Sequence, residues 1–235
     1  VMLTLDYKTN IAKHIDGFKE FMLTPLGKEW QTDRERRREQ FTKTFDKSHI
    51  DHLTEDELKT ILKELWATAI WGNKEYPASK IVRENGLEKL KEEIKHLLYG
   101  TESLRVRYDR FRKNIKGLGI SSISEILVFA SPNDYCLWNK TPINVLPILG
   151  MKNLLPNQVW NTYSVDGQGY EACNHVLKQI KDELRIHGFP NADLVDVDFF
   201  LYYILDQVLP KEEKIKKIPE KFVPPKELPK ISTHE

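Results

Sequence analysis

The pattern of apolar positions is helical along most of the chain. Between residues 9 and 22, apolar side chains recur every three to four residues, as they do on one face of a helix. A second such stripe follows Thr54, which with Glu57 has the spacing of a capping box that opens a helix. Further helical patterns cover residues 34–45, 86–98, 102–115, 120–130, 169–187 and 195–208. No convincing alternation of apolar and polar residues predicts a strand, so the pattern predicts an all-α fold.

The last 25 residues break this pattern. Residues 211–235 contain four prolines, seven lysines and five glutamates. Such a segment cannot bury enough apolar surface to offset its chain entropy, and its prolines favour an extended form. The sequence therefore predicts a helical domain over residues 1–210 and a linker or tail after it. The tail is either what remains of a longer protein cut between domains or a natural disordered terminus.

Composition and charge exclude several classes of protein. The longest apolar stretches fall far short of the ~20 residues that cross a bilayer, and no signal peptide is recognisable, so we expect a soluble, cytoplasmic chain with no membrane partner. Two cysteines, Cys136 and Cys173, are too few for a disulfide framework, although the sequence is compatible with a single disulfide bridge between them. The seven histidines lack metal-ligand spacing, and there is no nucleotide-binding Gly-Lys-Ser/Thr loop. The sequence thus predicts no metal site and no cofactor.

A Gly-hydrophobic-Gly turn at residues 117–119 is the most specific local signal. The net charge of the whole chain is only +1, but residues 100–119 contain six Lys or Arg and two Asp or Glu. Glycines allow a tight turn, and amides at the N-terminus of the next helix can hold a DNA phosphate. The predicted phosphate-binding residues are Gly117, Gly119, Ser121, Arg110, Arg112, Lys113 and Lys116. Alternatively, the glycines only separate two helices and the arginines form a solvated face.

The continuation of this turn resembles the helix-hairpin-helix DNA glycosylases, the fold of endonuclease III and 8-oxoguanine glycosylase. The resemblance rests on the order of hairpin, buried helix, extended turn at residues 132–138 and polar Asn139, and it covers roughly residues 54–150. In that superfamily a catalytic Asp follows the second hairpin glycine by about twenty positions, and bifunctional members place a nucleophilic Lys two positions after it. Asn139 and Ser121 stand in these places. An amide and an unactivated hydroxyl cannot replace them, so the resemblance implies the fold without its catalysis.

Several segments are also similar to those found beside AAA+ motor domains of McrB type, the DNA-recognition and GTPase subunits of modification-dependent restriction systems. These segments are Leu65-Trp66-Ala67 with residues 71–74, residues 107–111, residues 117–119 with 124–127, and residues 135–139. The resemblance implies a target-recognition domain that binds methylated cytosine in double-stranded DNA and is not itself an enzyme. It also implies an AAA+ motor domain and a nuclease subunit as partners.

A modified base inside a duplex can be inspected only after it is flipped into a pocket of aromatic faces and hydrogen-bonding groups. The predicted base-pocket residues are Trp71, Tyr76, Tyr108, Trp138 and Asn139. Trp71 and Tyr76 are favoured because they follow a helix in a predicted loop, whereas Trp66 lies on the helix stripe and is more typical of core. Asn139 is either a partner for the cytosine edge or a helix cap before Pro142.

Two other functions stay open at this point. The first is an active monofunctional glycosylase that uses a carboxylate such as Asp134. The second is a helical domain that binds protein and not DNA. Two charged clusters favour plain structural roles: residues 34–39 are typical of a solvated helix face with i,i+4 ion pairs, and Asp193, Asp196 and Asp198 are typical of a helix start.

Overall fold

The structure, a computed structural model, describes residues 3–69 and 72–209, and these residues form an all-α fold with no strand. The predicted all-α class is therefore confirmed, while the predicted tail at 211–235 lies outside the described residues. The ten α-helices of this part of the chain are α1 (Leu5–Leu23), α2 (Pro25–Thr44), α3 (Glu55–Glu64), α4 (Glu75–Asn85), α5 (Leu87–Tyr99), α6 (Leu104–Asn114), α7 (Ile120–Ala130), α8 (Lys140–Ile148), α9 (Gly167–Ile186) and α10 (Leu194–Tyr203).

Local sequence signals explain where several helices begin. The hydroxyl of Thr54 accepts a hydrogen bond from the Glu57 amide, and the Glu57 carboxylate accepts one from the Thr54 amide at 2.8 Å, so the predicted capping box is confirmed. Helices α4 and α8 were not predicted, because each contains proline. Pro77 and Pro142 lie in the first turns of these helices, where the missing amide would have had no intrahelical partner.

Helices from both ends of the chain meet in one hydrophobic core. Helix α1 packs against α2, α9 and α10, and its Phe18 ring lies edge-on to Phe199 with ring centroids 5.1 Å apart. Helix α2 also packs against α7, and α10 packs against α8. This arrangement places the middle of α2, the start of α8 and the end of α10 around a common point, where the candidate site lies.

None of the helices within residues 3–69 and 72–209 is long and apolar enough to cross a membrane.

Candidate functional site

The predicted glycine turn forms an exposed corner between α6 and α7. Gly117 has a φ of +86°, in the left-handed region that side chains rarely adopt, whereas Gly119 has an extended backbone that any residue can take. Both glycines are exposed, and Leu118 between them is buried. The turn therefore presents its backbone outward and is anchored by the leucine, which is the orientation that a phosphate contact requires.

Helix α4 holds this corner in place. The side chain of Asn85, the last residue of α4, donates a hydrogen bond to the Lys116 carbonyl at 2.9 Å and accepts one from the Lys116 amide at 2.8 Å. A Cβ added at Gly117 would lie 3.1 Å from Ile81 Cγ1, so the corner also packs closely on α4. A strand bound at the corner would thus meet a braced surface.

A groove of about 220 Å³ runs between α4 and the corner. Its walls include Tyr76, Pro77 and Lys80 on one side, and Gly117 and Ser122 on the other. Tyr76 lies in the first turn of α4 and not in a loop, which corrects the sequence prediction, and its side chain is 55% exposed. The structure therefore places Tyr76 in the groove beside the hairpin corner.

The basic residues among the predicted phosphate ligands divide into two groups. Arg110 pairs with the buried Glu93 carboxylate at 3.1 Å, and Arg112 donates to the carbonyls of Val165 and Tyr163. These two guanidinium groups already bind the protein itself. Lys113 and Lys116 are exposed beside the corner, and Ser121 is half-buried. Of the predicted phosphate ligands, the two lysines are the side chains best placed to meet a strand.

A cavity of about 350 Å³ lies on the other side of the turn Trp66–Thr68. Three aromatic rings, those of Trp30, Trp66 and Tyr202, line it together with polar groups. The polar residues are Asp33, Arg34, Asn139, Thr141 and Asp198. Trp66 is only partly buried. It packs edge-on against Phe129 in the core and also faces the cavity. The sequence-based assignment of Trp66 to the core therefore describes only one face of the ring.

Of the predicted pocket residues that the structure describes, Asn139 is the one that lines this cavity. It is also the N-cap of α8, and its side-chain oxygen accepts a hydrogen bond from the Thr141 amide at 2.8 Å. The capping interpretation is therefore confirmed. Because the oxygen is used by the cap, the Asn139 amide nitrogen is the donor that a ligand in the cavity would meet.

An ion pair between Arg34 and Asp198 forms part of the cavity wall. The guanidinium donates to Asp198 Oδ2 at 2.9 Å, and its carbon lies 4.5 Å from the Phe199 ring centroid and 5.1 Å from that of Trp66. Burial raises the pKa of Asp198 above its ordinary value, against the opposing effect of Arg34. Arg34 and Arg37 are both buried, so the prediction of a solvated face at residues 34–39 is wrong at these two positions.

The backbone of Trp66 is held by a buried carboxylate. Glu125, on α7, accepts hydrogen bonds from the Trp66 amide at 2.7 Å and the Ala67 amide at 3.4 Å. The guanidinium of Arg37 lies 3.5 Å from Glu125 and 4.5 Å from the Trp66 ring centroid. Burial raises the pKa of Glu125 to about 8, although the two amides and Arg37 lower it.

Neither Tyr108 nor Trp138, two further aromatic residues predicted for the base pocket, lines the cavity. Tyr108 is fully buried, stacks on Tyr170 with ring centroids 5.1 Å apart and donates to the Val165 carbonyl. Trp138 is also fully buried, and its indole N–H donates to the Val159 carbonyl at 3.0 Å. The structure corrects the assignment at both positions, because these rings face the interior and cannot stack on a base. Trp71 lies outside the described residues.

The acidic residues singled out from the sequence differ in part from their interpretation. Asp193 caps α10 and forms a capping box with Asp196, as predicted, but Asp198 instead pairs with Arg34 in the cavity wall. Asp134, the carboxylate suggested for an active glycosylase, lies in a separate depression with Tyr135. Among the described residues, the carboxylates that line the cavity are Asp33 and Asp198.

Sequence reasoning missed most of the cavity wall. Trp30, Asp33 and Arg34 belong to one long polar helix, and nothing in its pattern shows that its middle faces inward. One signal was available: Asp198 interrupts an otherwise apolar run at 197–205, and a carboxylate in such a run needs a buried partner.

No protein-family model matches this chain, and no match is found among curated proteins or solved structures. We therefore infer the function from the geometry of the hairpin corner and the cavity.

Proposed function

We propose that this chain binds double-stranded DNA and holds one extruded modified base, methylated cytosine first among candidates, without cleaving it. One observation carries the proposal: the three-residue turn Trp66–Thr68 separates the cavity from the groove beside the hairpin corner. Trp66 lines the cavity, while Ala67 and Thr68 line the groove. A strand on the corner would thus have a pocket within reach for one of its bases.

The chemistry of the cavity fits a planar heterocycle. Aromatic side chains offer faces for stacking, which is worth roughly 1–3 kcal/mol per base in single-strand complexes. Asn139 and Arg34 supply hydrogen-bond donors, and Asp33 supplies an acceptor. A volume of about 350 Å³ lies within the usual range of small-ligand sites and accommodates a pyrimidine.

The resemblance to helix-hairpin-helix glycosylases supports a domain that recognises a base without cleaving its glycosidic bond. Asn139 stands where that superfamily has its catalytic Asp, and it lines the cavity. An amide offers no negative charge to a developing sugar cation. In a restriction system of McrB type, the motor domain and nuclease subunit would act after such a module has bound methylated DNA, within the cytoplasm.

Binding measurements with matched duplexes test this function. Duplexes that differ only in one cytosine, either unmodified or 5-methylated, are titrated with the protein at two salt concentrations. We expect tighter binding to the methylated duplex and a fall in affinity at higher salt, because phosphate contacts release counterions. A fluorescent base analogue next to the methylated position reports unstacking directly. Binding without salt dependence, or no binding at all, would contradict the proposal and favour a protein-interaction domain.

An active glycosylase is the second candidate, and one observation favours it. Asp33 lines the cavity; burial tends to raise its pKa, but hydrogen bonds from Arg37 and Arg36 outweigh burial and lower the pKa of Asp33 below its ordinary value. An ionised carboxylate in the cavity could stabilise a sugar cation. Duplexes with uracil, alkylated or oxidised bases are incubated with the protein and assayed for abasic sites. Base release that is lost in Asp33→Asn would establish this candidate and exclude the non-cleaving one.

A further inference from the structure

We propose that Glu125 is a positioning residue that couples the hairpin corner to the aromatic wall of the cavity. The inference rests on the proposed function, because it concerns how a strand at the corner affects the base pocket. Its test includes a measurement without DNA, so the two can fail separately.

The coupling follows a short path of direct contacts. Helix α7 begins at Ile120, immediately after the corner, and its Ser122 lines the groove. One turn further along the same helix, the Glu125 carboxylate accepts the amides of Trp66 and Ala67 at 2.7 and 3.4 Å. A helix moves as a rigid element, so a displacement of α7 by a bound strand changes the position of Trp66. Trp66 in turn forms part of the cavity wall.

Arg37 extends this path to the opposite wall. Its Nε donates to Asp33 Oδ2 at 2.9 Å, and its guanidinium faces both the Glu125 carboxylate at 3.5 Å and the Trp66 ring. Glu125 thus lies behind the cavity and is 2% exposed, while Asp33 lies on its surface. The contacts connect α7, the Trp66 turn and α2, which are far apart in sequence.

The charge of Glu125 gives this coupling a measurable signature. The charged groups that face its carboxylate are Arg37 on α2 and Asp198 on α10. Burial raises the pKa of Glu125 to about 8, so the carboxyl group loses its proton and becomes negatively charged as the pH rises through that value. The ionised form accepts both amides and attracts Arg37 more strongly, because charge-assisted hydrogen bonds are the stronger ones. We therefore expect the surroundings of the Trp66 ring to change with pH.

The first experiment measures tryptophan fluorescence of the full chain without DNA between pH 6 and 9.5. Subtracting the signal of Trp66→Phe isolates Trp66. We expect the difference signal to titrate near pH 8 in the parent protein and to be flat in Glu125→Gln. Arg37→Gln should shift the midpoint to higher pH, because Arg37 lowers the pKa of Glu125. This second variant keeps the proposal testable if Glu125→Gln does not fold. A difference signal that is flat in the parent protein, or unchanged in both variants, would overturn the coupling.

The second experiment compares affinities for the methylated and unmethylated duplexes. The binding is measured at pH 9, where Glu125 is ionised. Glu125→Gln should then lower the preference for the methylated base by roughly tenfold, as for one lost charge-assisted hydrogen bond, and leave the affinity for unmethylated DNA within about twofold. Glu183→Gln is the matched control, since Glu183 is another buried carboxylate but pairs with Lys8 away from the cavity. An unchanged preference in Glu125→Gln would overturn the inference. No preference in the parent protein would instead overturn the proposed function, and the fluorescence titration would still decide the role of Glu125.

Discussion

Arg34 and Asp198 form an ion pair at 2.9 Å across 164 residues of sequence, with side chains only 7% and 6% exposed. The pair joins α2 to α10 and forms part of the cavity wall. The Arg34 guanidinium also faces the aromatic rings of Phe199 and Trp66. A polar contact at this depth links the shape of the cavity to the stability of the fold.

Removing one partner of this pair should destabilise the protein strongly. Arg34→Met leaves the Asp198 carboxylate buried without its counterion, and we expect a loss of roughly 3–5 kcal/mol in the free energy of unfolding. Urea denaturation measures this. The double variant with Asp198→Leu should lose clearly less, because apolar groups of similar size tolerate burial. Equal losses in the single and double variants would contradict this explanation.

Trp66→Ala should abolish the preference for a modified base. Loss of one stacking face costs roughly 1–3 kcal/mol, or about 5- to 150-fold in affinity for the methylated duplex. Fluorescence anisotropy with matched duplexes measures the change. Trp138→Phe serves as a control, because the Trp138 ring is buried away from the cavity: it should lower stability and leave the preference intact. The opposite result would restore Trp138 to the base pocket.

Lys113 and Lys116 should contribute more than Arg110 to the salt dependence of DNA binding. Lys113→Gln with Lys116→Gln removes two exposed charges beside the corner, and the slope of log affinity against log salt should decrease by roughly 1–2. Arg110→Gln should change this slope less and stability more, since Arg110 pairs with the buried Glu93. Titrations at several salt concentrations measure both. A larger slope change for Arg110→Gln would show that its ion pair opens when DNA binds.

Stability should fall with rising pH in a manner that depends on Glu125. In the folded protein burial raises the pKa of Glu125 to about 8, above its ordinary value of 4.5. Between these values the folded state binds a proton that the unfolded state has lost, so the free energy of unfolding decreases as pH rises. Thermal denaturation from pH 5 to 8 should therefore show the parent protein losing stability relative to Glu125→Gln. A constant difference would mean that Glu125 is already ionised in the fold at pH 5.

The local pattern of residues was sufficient for much of the secondary structure. Helical periodicity predicted the all-α class, and Thr54 with Glu57 predicted a helix start, because both signals involve residues within one or two turns of each other. The glycine turn at 117–119 was also predicted from local pattern, whereas the sequence left capping by Asn139 as one of two alternatives. Helices α4 and α8 were missed, because each has a proline in its first turn.

Sequence alone thus determined most of the helices and the position of the glycine turn, and tertiary structure decided which side chains share the cavity. Arg34, Trp66, Asn139 and Asp198 come from four separate elements, and their meeting depends on how α2, α7, α8 and α10 pack. Aromatic residues have the same local signal whether they face a core or a ligand, which is why Tyr108 was assigned to a surface that it does not reach. The physical reason is that helix formation is local, whereas a cavity forms only where packed helices leave space between them.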